Sequence, residues 1–340
     1  MLAQFTPKMC TLLLQQTRIM WKVLLSLFLA LVLPSVHAAP ALITPDQLQQ
    51  ALKAQTTKPG RALIRLIDIR DEFSFEQDHI PGSLNAPYNQ WRGPASNPGQ
   101  VPELAKLKAL VNKLGIEPNQ HVVVVSTGED ALDFGAAARV YWTLKYLGLT
   151  ELSVLQGGVF AWDEANLPLE SGPANWPTPS HFSPQAQTQW LASTDEVHGF
   201  VKGSKARLVD ARPLDFFKGN TRVPQAKAAG TLPGAVHLDN ERWFDRDGAK
   251  LISVQQSRDL AKDLQITPNK PTVLFCNTGH LAATNWFMLS EVLGLPQVKL
   301  YTGSLVEWTQ HPQALPMANE PGRVRQLWMD AQFWYRQRFE

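Results

Sequence analysis

One sequence pattern occurs twice along this chain, and the duplication constrains the fold more than any other feature. Each copy opens with an apolar run that ends in Asp-x-Arg, at Asp68 in the first copy and at Asp210 in the second. A Pro-Gly turn, a further apolar run, a helical stretch and a glycine loop before Trp162 or Trp308 follow in the same order. Each copy is about 140 residues long, which is the size of a domain and far longer than a solenoid repeat.

Short apolar runs alternate with helical patterns in both copies, as is typical of βαβ units and a parallel sheet. The runs Val122–Val125 and Thr272–Phe275 are predicted strands. Helical patterns cover residues 101–114, 135–147 and 281–289. We therefore predict an α/β fold of two tandem domains, each a mainly parallel sheet flanked by helices.

A proline-rich stretch separates the two copies and sets the predicted domain boundaries. Four prolines and one glycine fall between residues 171 and 184. The chain end has aromatic side chains at helical spacing, which predicts a helix that packs on the protein. The predicted segments are a signal peptide at 1–39, a first domain at 40–172, a linker at 173–188, a second domain at 189–318 and a helical tail at 319–340.

The first 39 residues have the pattern of a secretory signal peptide. Three basic residues are the only charges before Asp46, and an apolar run covers residues 23–33. This run is shorter than the ~20 apolar residues of a transmembrane helix, so we expect cleavage after Ala38 or Ala39. The alternative is an uncleaved N-terminal anchor. The expected product is exported to the periplasm without a stable membrane anchor. Synthesis of a chain with this pattern could start at either of two methionines, Met1 or Met20.

Charge and cysteine content exclude several classes of protein. The formal net charge is only +2, from 32 basic and 30 acidic residues, so no nucleic-acid partner is expected. Two cysteines are too few for a disulfide scaffold or a cysteine-rich metal site. Loss of the signal peptide would remove Cys10 and leave Cys276 as a single thiol.

Cys276 follows a predicted strand directly and precedes a predicted helix. Its sulfur is therefore expected at the carboxyl end of a parallel strand, where open α/β sheets bind ligands. Backbone N–H groups of such a loop stabilise a thiolate or an attached anion, and Gly279 permits the tight turn. The alternative is an inert cysteine that fills the core as a small apolar side chain. The order strand, cysteine, glycine and helix favours a nucleophile.

Three motifs resemble those of tandem rhodanese-domain sulfurtransferases over nearly the whole chain after residue 39. Residues 75–82 (FEQDHIPG) match the N-terminal signature of that family, with Ser83 next where Ala is usual. Residues 298–308 (VKLYTGSLVEW) match its C-terminal signature apart from Thr302 and Leu305. The two Asp-x-Arg motifs are also typical. The resemblance implies a catalytic second domain and a non-catalytic first domain. The first copy agrees, because Ser126 stands in place of Cys276, and its loop is expected to be about four residues longer.

The resemblance also implies the chemistry. In this family the loop cysteine takes a sulfane sulfur from a donor such as thiosulfate or 3-mercaptopyruvate and becomes a persulfide. It then passes the sulfur to cyanide, a thiol or another thiophile. No cofactor or metal is expected, the partners are these small molecules, and a monomer is expected because the duplicated chain supplies its own domain interface. The implied loop consists of Cys276, Asn277, Thr278, Gly279, His280 and Leu281.

Several positions depart from the family pattern. Asn277 and Thr278 stand where thiosulfate sulfurtransferases have Arg and Lys, and where mercaptopyruvate sulfurtransferases have Gly and Ser. Phe216 stands where the family uses an Arg to hold the donor. Loss of these cations weakens the expectation of efficient thiosulfate turnover. Lys218 and Arg222 are candidate replacements because they lie nearby in the sequence.

His280 has two possible roles: it either acts on the Cys276 sulfur or faces solvent in the loop. The charged pairs at the strand ends are interpreted as structural, namely Asp68 with Arg70 and Asp210 with Arg212.

Two other functions compete with sulfur transfer. Phosphatases of the same fold need an Arg at the sixth position after the cysteine, where this chain has Ala282, so we discount that class. A non-enzymatic sulfur carrier or binding module with two rhodanese-like domains stays open.

Overall fold

The computed structural model describes residues 39–56, 64–245 and 250–339. The predicted signal peptide lies outside the described residues, apart from Ala39. Each copy of the repeat folds around its own parallel sheet, as the alternation of strand and helix patterns predicts. Both copies belong to one unit of the chain, which begins at Ala39.

Five strands of the first domain form one parallel sheet in the order β1-β5-β4-β2-β3. They are β1 Leu42–Ile43, β2 Arg65–Asp68, β3 Leu84–Asn85, β4 Val122–Val125 and β5 Leu152–Leu155. The helices are α1 Pro45–Thr56, α2 Glu72–Gln77, α3 Leu104–Lys113, α4 Ala131–Tyr146 and α5 Gly158–Glu164. The central strand β4 consists of four buried valines, which suits a strand covered on both faces.

The second domain repeats this arrangement with parallel strands in the order β7-β6-β8-β9. They are β6 Arg207–Asp210, β7 Val236–His237, β8 Thr272–Phe275 and β9 Val298–Leu300. The helices are α6 Thr194–Gly203, α7 Leu214–Phe217, α8 Val254–Asp263, α9 Leu281–Trp286 and α10 Ser304–Gln310. Leu191 pairs with Leu300 at the place that β1 takes in the first domain. The predicted α/β fold is confirmed.

Helix boundaries correct one prediction about the two loops. Helix α4 begins at Ala131, before the predicted start at residue 135, because the Asp130 side chain accepts a hydrogen bond from the backbone N–H of Asp133. The loop after Ser126 therefore ends at residue 130, and the loop after Cys276 ends at residue 280. The two loops have equal length, so the expectation of a longer loop in the first copy is wrong.

Helices α4 and α9 pack against each other across the domain boundary. Aromatic rings interlock there, and Tyr141 of α4 lies edge to face with Phe287, the residue directly after α9, at a centroid distance of 5.0 Å. The Tyr141 hydroxyl donates a hydrogen bond of 2.8 Å to Glu291, and burial raises the pKa of Tyr141. One apolar core thus includes residues of both domains, which fixes the loop before α9 relative to the first domain.

The predicted linker contains neither helix nor strand up to residue 187. The tail forms helix α11, Arg323–Phe339, in which Met329 is buried and Asp330 pairs with Arg222 at 2.7 Å. Among the described residues, no helix is long and apolar enough to cross a membrane.

Candidate active site

Cys276 lies directly after β8 and before α9, at the carboxyl end of a central parallel strand, as predicted. It is the one free cysteine among the described residues, and only 1% of its surface is exposed. Small donors must therefore approach through a narrow opening or after a local displacement. A cavity of about 580 Å³ is lined by residues of both domains, among them Gln100 and Thr302, and Cys276 does not line it.

The Ser304 hydroxyl holds the start of the cysteine loop. Its oxygen accepts hydrogen bonds from the backbone N–H groups of Cys276 (3.0 Å) and Gly279 (3.2 Å), and it donates to the carbonyl of Tyr301 (2.7 Å). The N–H groups of Asn277 and Thr278 have no acceptor among the residues that the structure describes. Two loop amides are thus available to an anion on the sulfur.

Gly279 makes the turn of the loop possible. Its φ is +64°, and a Cβ atom there would lie 2.6 Å from the carbonyl oxygen of Thr302. The same Cβ would lie 2.8 Å from a guanidinium nitrogen of Arg139, in the first domain. The predicted role of this glycine therefore has two physical reasons, the backbone angle and the close approach of its neighbours.

Asn277 is tied to the strand-end pair of the second domain. Its side-chain oxygen accepts a hydrogen bond of 3.2 Å from Arg212. Arg212 binds both carboxylate oxygens of Asp210, at 2.9 and 2.6 Å, and also the carbonyl of Gly230. Both charged side chains are buried, so the pair is a fixed support beside the loop. It thus supports the loop as well as the end of the strand.

The first domain carries a matching pair. Arg70 donates to both oxygens of the Asp68 carboxylate, the shortest contact being 2.7 Å, and it also contacts Asp78. Burial raises the pKa of Asp68, and the hydrogen bonds from Arg70 oppose that shift.

Among the described residues, neither candidate replacement for the donor-binding arginine is hydrogen-bonded to the side chains or backbone of the cysteine loop. Arg222 donates to the carbonyl of Ala226 at 2.6 Å and pairs with Asp330 of α11, and neither partner belongs to the cysteine loop. Lys218 is an exposed residue that directly follows α7. The Phe216 ring instead lies 5.8 Å from the guanidinium carbon of Arg212.

His280 does not face solvent but contacts the first domain. Its Nδ1 lies 2.7 Å from the hydroxyl of Tyr88 in the first domain, and the ring also bonds the backbone of Leu132. Burial lowers the pKa of His280 to about 4, and the charge of Arg92 acts in the same direction. A neutral imidazole therefore joins the two domains, and the solvent-facing alternative is wrong because the ring lies in this interface.

Two arginines of the first domain contact the loop, and the sequence analysis missed both. Arg92 donates to the carbonyl of Thr278 at 2.9 Å and to the Tyr88 hydroxyl at 3.0 Å. Arg139 donates to the carbonyl of Gly279 at 3.3 Å and is completely buried. An arginine within the otherwise small and apolar run 135–144 was the one available signal for Arg139.

In the first copy, a carboxylate of the same domain closes the loop that matches the cysteine loop. Ser126 takes the place of Cys276, and the Asp133 carboxylate accepts hydrogen bonds from the N–H groups of Thr127 (3.2 Å) and Gly128 (2.6 Å). Asp133 is the third residue of α4, and the third residue of α9 is Ala283. The amides that a carboxylate occupies in the first copy are thus left open in the second.

The geometry suits a nucleophilic sulfur that carries an anion. Open amides, the N-terminus of α9 and two nearby arginines all favour negative charge at this loop. Across the described parts of the chain, no group of three or more His, Cys, Asp or Glu side chains is placed to hold a metal ion.

Comparisons with known proteins agree with this architecture. The Rhodanese-like domain family matches the chain twice, at residues 44–165 and 193–311. The thiosulfate sulfurtransferase of Pseudomonas aeruginosa is 31% identical over 280 residues, which cover 80% of this chain and 95% of that protein. Human 3-mercaptopyruvate sulfurtransferase is 28% identical over 243 residues, which cover 71% and 80% of the two chains.

A solved structure shows the same fold. The crystal structure of SseA from Escherichia coli, described as a 3-mercaptopyruvate sulfotransferase, aligns with a TM-score of 0.65 and 22% identity. The alignment covers 78% of this chain and 99% of that one. With two matched domains, a relative at 31% identity and a shared fold, the chain belongs to the family of tandem rhodanese-like sulfurtransferases.

Proposed function

We propose that Cys276 is the sulfur-accepting nucleophile and that the loop from Cys276 to Leu281 holds the persulfide. The thiolate attacks the outer sulfur of a donor such as thiosulfate, the sulfur–sulfur bond breaks, and sulfite leaves with the electron pair. A thiophile such as cyanide then attacks the terminal sulfur, forms thiocyanate and regenerates the thiolate. The observation that carries this proposal is the position of Cys276 at a strand end, beside two amides without an acceptor among the described residues.

The charges around the loop support a preference between the two donors. Thiosulfate is a dianion, and the second domain presents Asn277, Thr278 and Phe216 where cations would bind it. Mercaptopyruvate carries one carboxylate and needs fewer positive partners. We therefore expect a lower KM for 3-mercaptopyruvate than for thiosulfate, with cyanide or a thiol as acceptor. Equal or reversed KM values would assign the specificity to cations outside the loop.

Steady-state assays with both donors and cyanide test the proposal directly. Wild type should form thiocyanate with at least one donor, Cys276→Ser should lose this activity, and Ser126→Ala should keep it. Turnover that survives in Cys276→Ser would overturn the assignment of the nucleophile. A persulfide on Cys276 without turnover would favour the sulfur-carrier alternative.

We further propose that the chain is exported, on the basis of the signal-peptide pattern in residues 1–39. A reporter fused after Ala39 should reach the periplasm when synthesis starts at Met1 or at Met20. A reporter that stays in the cytoplasm with both starts would exclude export.

A further inference from the structure

We infer that Arg139 of the first domain is a positioning residue for the Cys276 loop and a source of positive charge beside it. The inference rests on the proposed sulfur chemistry at Cys276. It assigns to the non-catalytic domain the cationic role that the loop of the second domain lacks at Asn277 and Thr278.

The first argument is the missing counter-ion of Arg139. Its side chain is completely buried, and its hydrogen-bond acceptors are the carbonyls of Gly279 (3.3 Å) and Gly99 (3.0 Å). None of the ion pairs among the described residues includes Arg139, and its Nε has no partner there. A buried guanidinium without a carboxylate is unfavourable unless another anion lies close by.

The second argument is which group can supply that anion. The ionisable groups that interact electrostatically with Arg139 are Arg92, Tyr88, His280 and Cys276. Arg92 is a cation, and burial raises the pKa of Tyr88, so the phenol stays neutral. His280 lies in the same interface and is neutral as well. Cys276, as thiolate or persulfide, is therefore the one member of this set that can balance the charge of Arg139.

The third argument is the direction of the loop peptides. Arg139 binds the carbonyl of Gly279 and Arg92 binds the carbonyl of Thr278, so both carbonyls point toward the first domain. In a trans peptide, C=O and N–H point in opposite directions. The arginines therefore fix the N–H groups of Gly279 and His280 away from the first domain, and the Gly279 N–H meets Ser304.

The test compares alkylation of Cys276 by iodoacetate, which is anionic, with alkylation by the neutral iodoacetamide. Rates are measured by peptide mass spectrometry on wild type, Arg139→Gln, Arg139→Lys and the control Arg207→Gln. Arg207 binds the carbonyl of Gln265 and begins β6, so it lies at the opposite end of the sheet from the cysteine loop. A local positive potential concentrates anions, so its loss slows iodoacetate selectively.

We expect the ratio of the two rate constants to fall by about tenfold in Arg139→Gln. It should stay within about twofold of wild type in Arg139→Lys and in Arg207→Gln. An unchanged ratio in a folded Arg139→Gln protein, or a parallel loss with both reagents, would overturn the inference. If Arg139→Gln does not fold, a tenfold fall in Arg139→Lys, which keeps the charge, would overturn it instead. The alkylation needs no sulfur donor, so failure of the proposed function is seen separately as a wild type that forms no persulfide.

Discussion

Nδ1 of His280 lies 2.7 Å from the hydroxyl oxygen of Tyr88, a hydrogen bond that joins the cysteine loop to the opposite domain. Arg92 donates to the same hydroxyl and to the carbonyl of Thr278, so three residues form a continuous bridge to the loop. The first domain has serine in place of the cysteine, yet it forms one wall of the candidate active site. The first domain therefore has a structural role at the site although it lacks the cysteine.

Tyr88→Phe removes the hydroxyl that His280 and Arg92 share. We expect the free energy of unfolding to fall by about 1–3 kcal/mol, because two polar groups in the interface lose a partner. Sulfur transfer should slow as the loop loses its tether. Urea unfolding and donor kinetics measure both effects. Tyr146→Phe is the control, since the hydroxyl of Tyr146 has no hydrogen bond among the described residues. Equal behaviour of the two variants would contradict a tethering role.

Stability should depend on pH through His280. Its pKa is lowered to about 4 from an ordinary value of 6.5, so the unfolded chain binds more protons between these values. The neutral ring makes its full contribution to the free energy of unfolding above pH 6.5. This contribution is lost as the pH falls toward 4, and the loss is at most roughly 3 kcal/mol.

Unfolding of wild type and His280→Asn, measured in urea between about pH 4 and 7, isolates this contribution. The wild-type free energy should fall more steeply toward acid pH than that of the variant. Parallel curves would show that His280 is not the titrating group.

Much of the fold could be predicted, because its signals are local in sequence. The repeated order of strands and turns predicted the two parallel sheets. The apolar run before Cys276 and Gly279 after it predicted that the cysteine lies at the end of a strand. The length of the loop after Ser126 was predicted wrongly because the cap at Asp130 starts helix α4 earlier than its apolar pattern does. That cap is a polar signal, which hydrophobic periodicity does not contain.

The walls of the site could not be predicted in the same way. The contact between His280 and Tyr88 joins residues 192 positions apart, and that between Arg139 and Gly279 joins residues 140 apart. Each depends on how α4 packs against α9, and no local pattern specifies that packing. The sequence therefore indicated that the loop has uncharged residues, Asn277 and Thr278, where relatives have cations. It did not indicate that arginines of the first domain lie beside the loop.

Gly279→Ala should be strongly damaging. The residue has a φ of +64°, and the new Cβ would lie 2.6 Å from the carbonyl oxygen of Thr302. We expect a loss of about 1–3 kcal/mol of stability and most of the sulfur transfer. Gly199→Ala in α6 is the matched control, because a Cβ there meets no atom within 4 Å and stabilises a helix by up to about 1 kcal/mol. Thermal unfolding of both variants checks the contrast, and similar melting temperatures would contradict it.

Ala283→Asp should close the cysteine loop as Asp133 closes the loop of the first copy. A carboxylate at the third position of α9 would bind the amides of Asn277 and Thr278 and repel an anionic sulfur. The rate of persulfide formation should fall by about a hundredfold in Ala283→Asp. In Ala283→Asn, whose side chain has nearly the same shape as Asp but no charge, the rate should fall much less. Donor-loading rates, compared at equal folded fraction, measure the difference. Equal rates in Asp and Asn variants would show that these amides do not contact the persulfide.

The most direct measurement is the intact mass of the protein after exposure to thiosulfate or 3-mercaptopyruvate. One sulfur, about 32 Da, should add to wild type, map to Cys276 and leave as thiocyanate when cyanide is added. Cys276→Ser should gain no such mass. A protein that never gains the sulfur, or a Cys276→Ser variant that gains and releases it equally, would contradict sulfur transfer through Cys276.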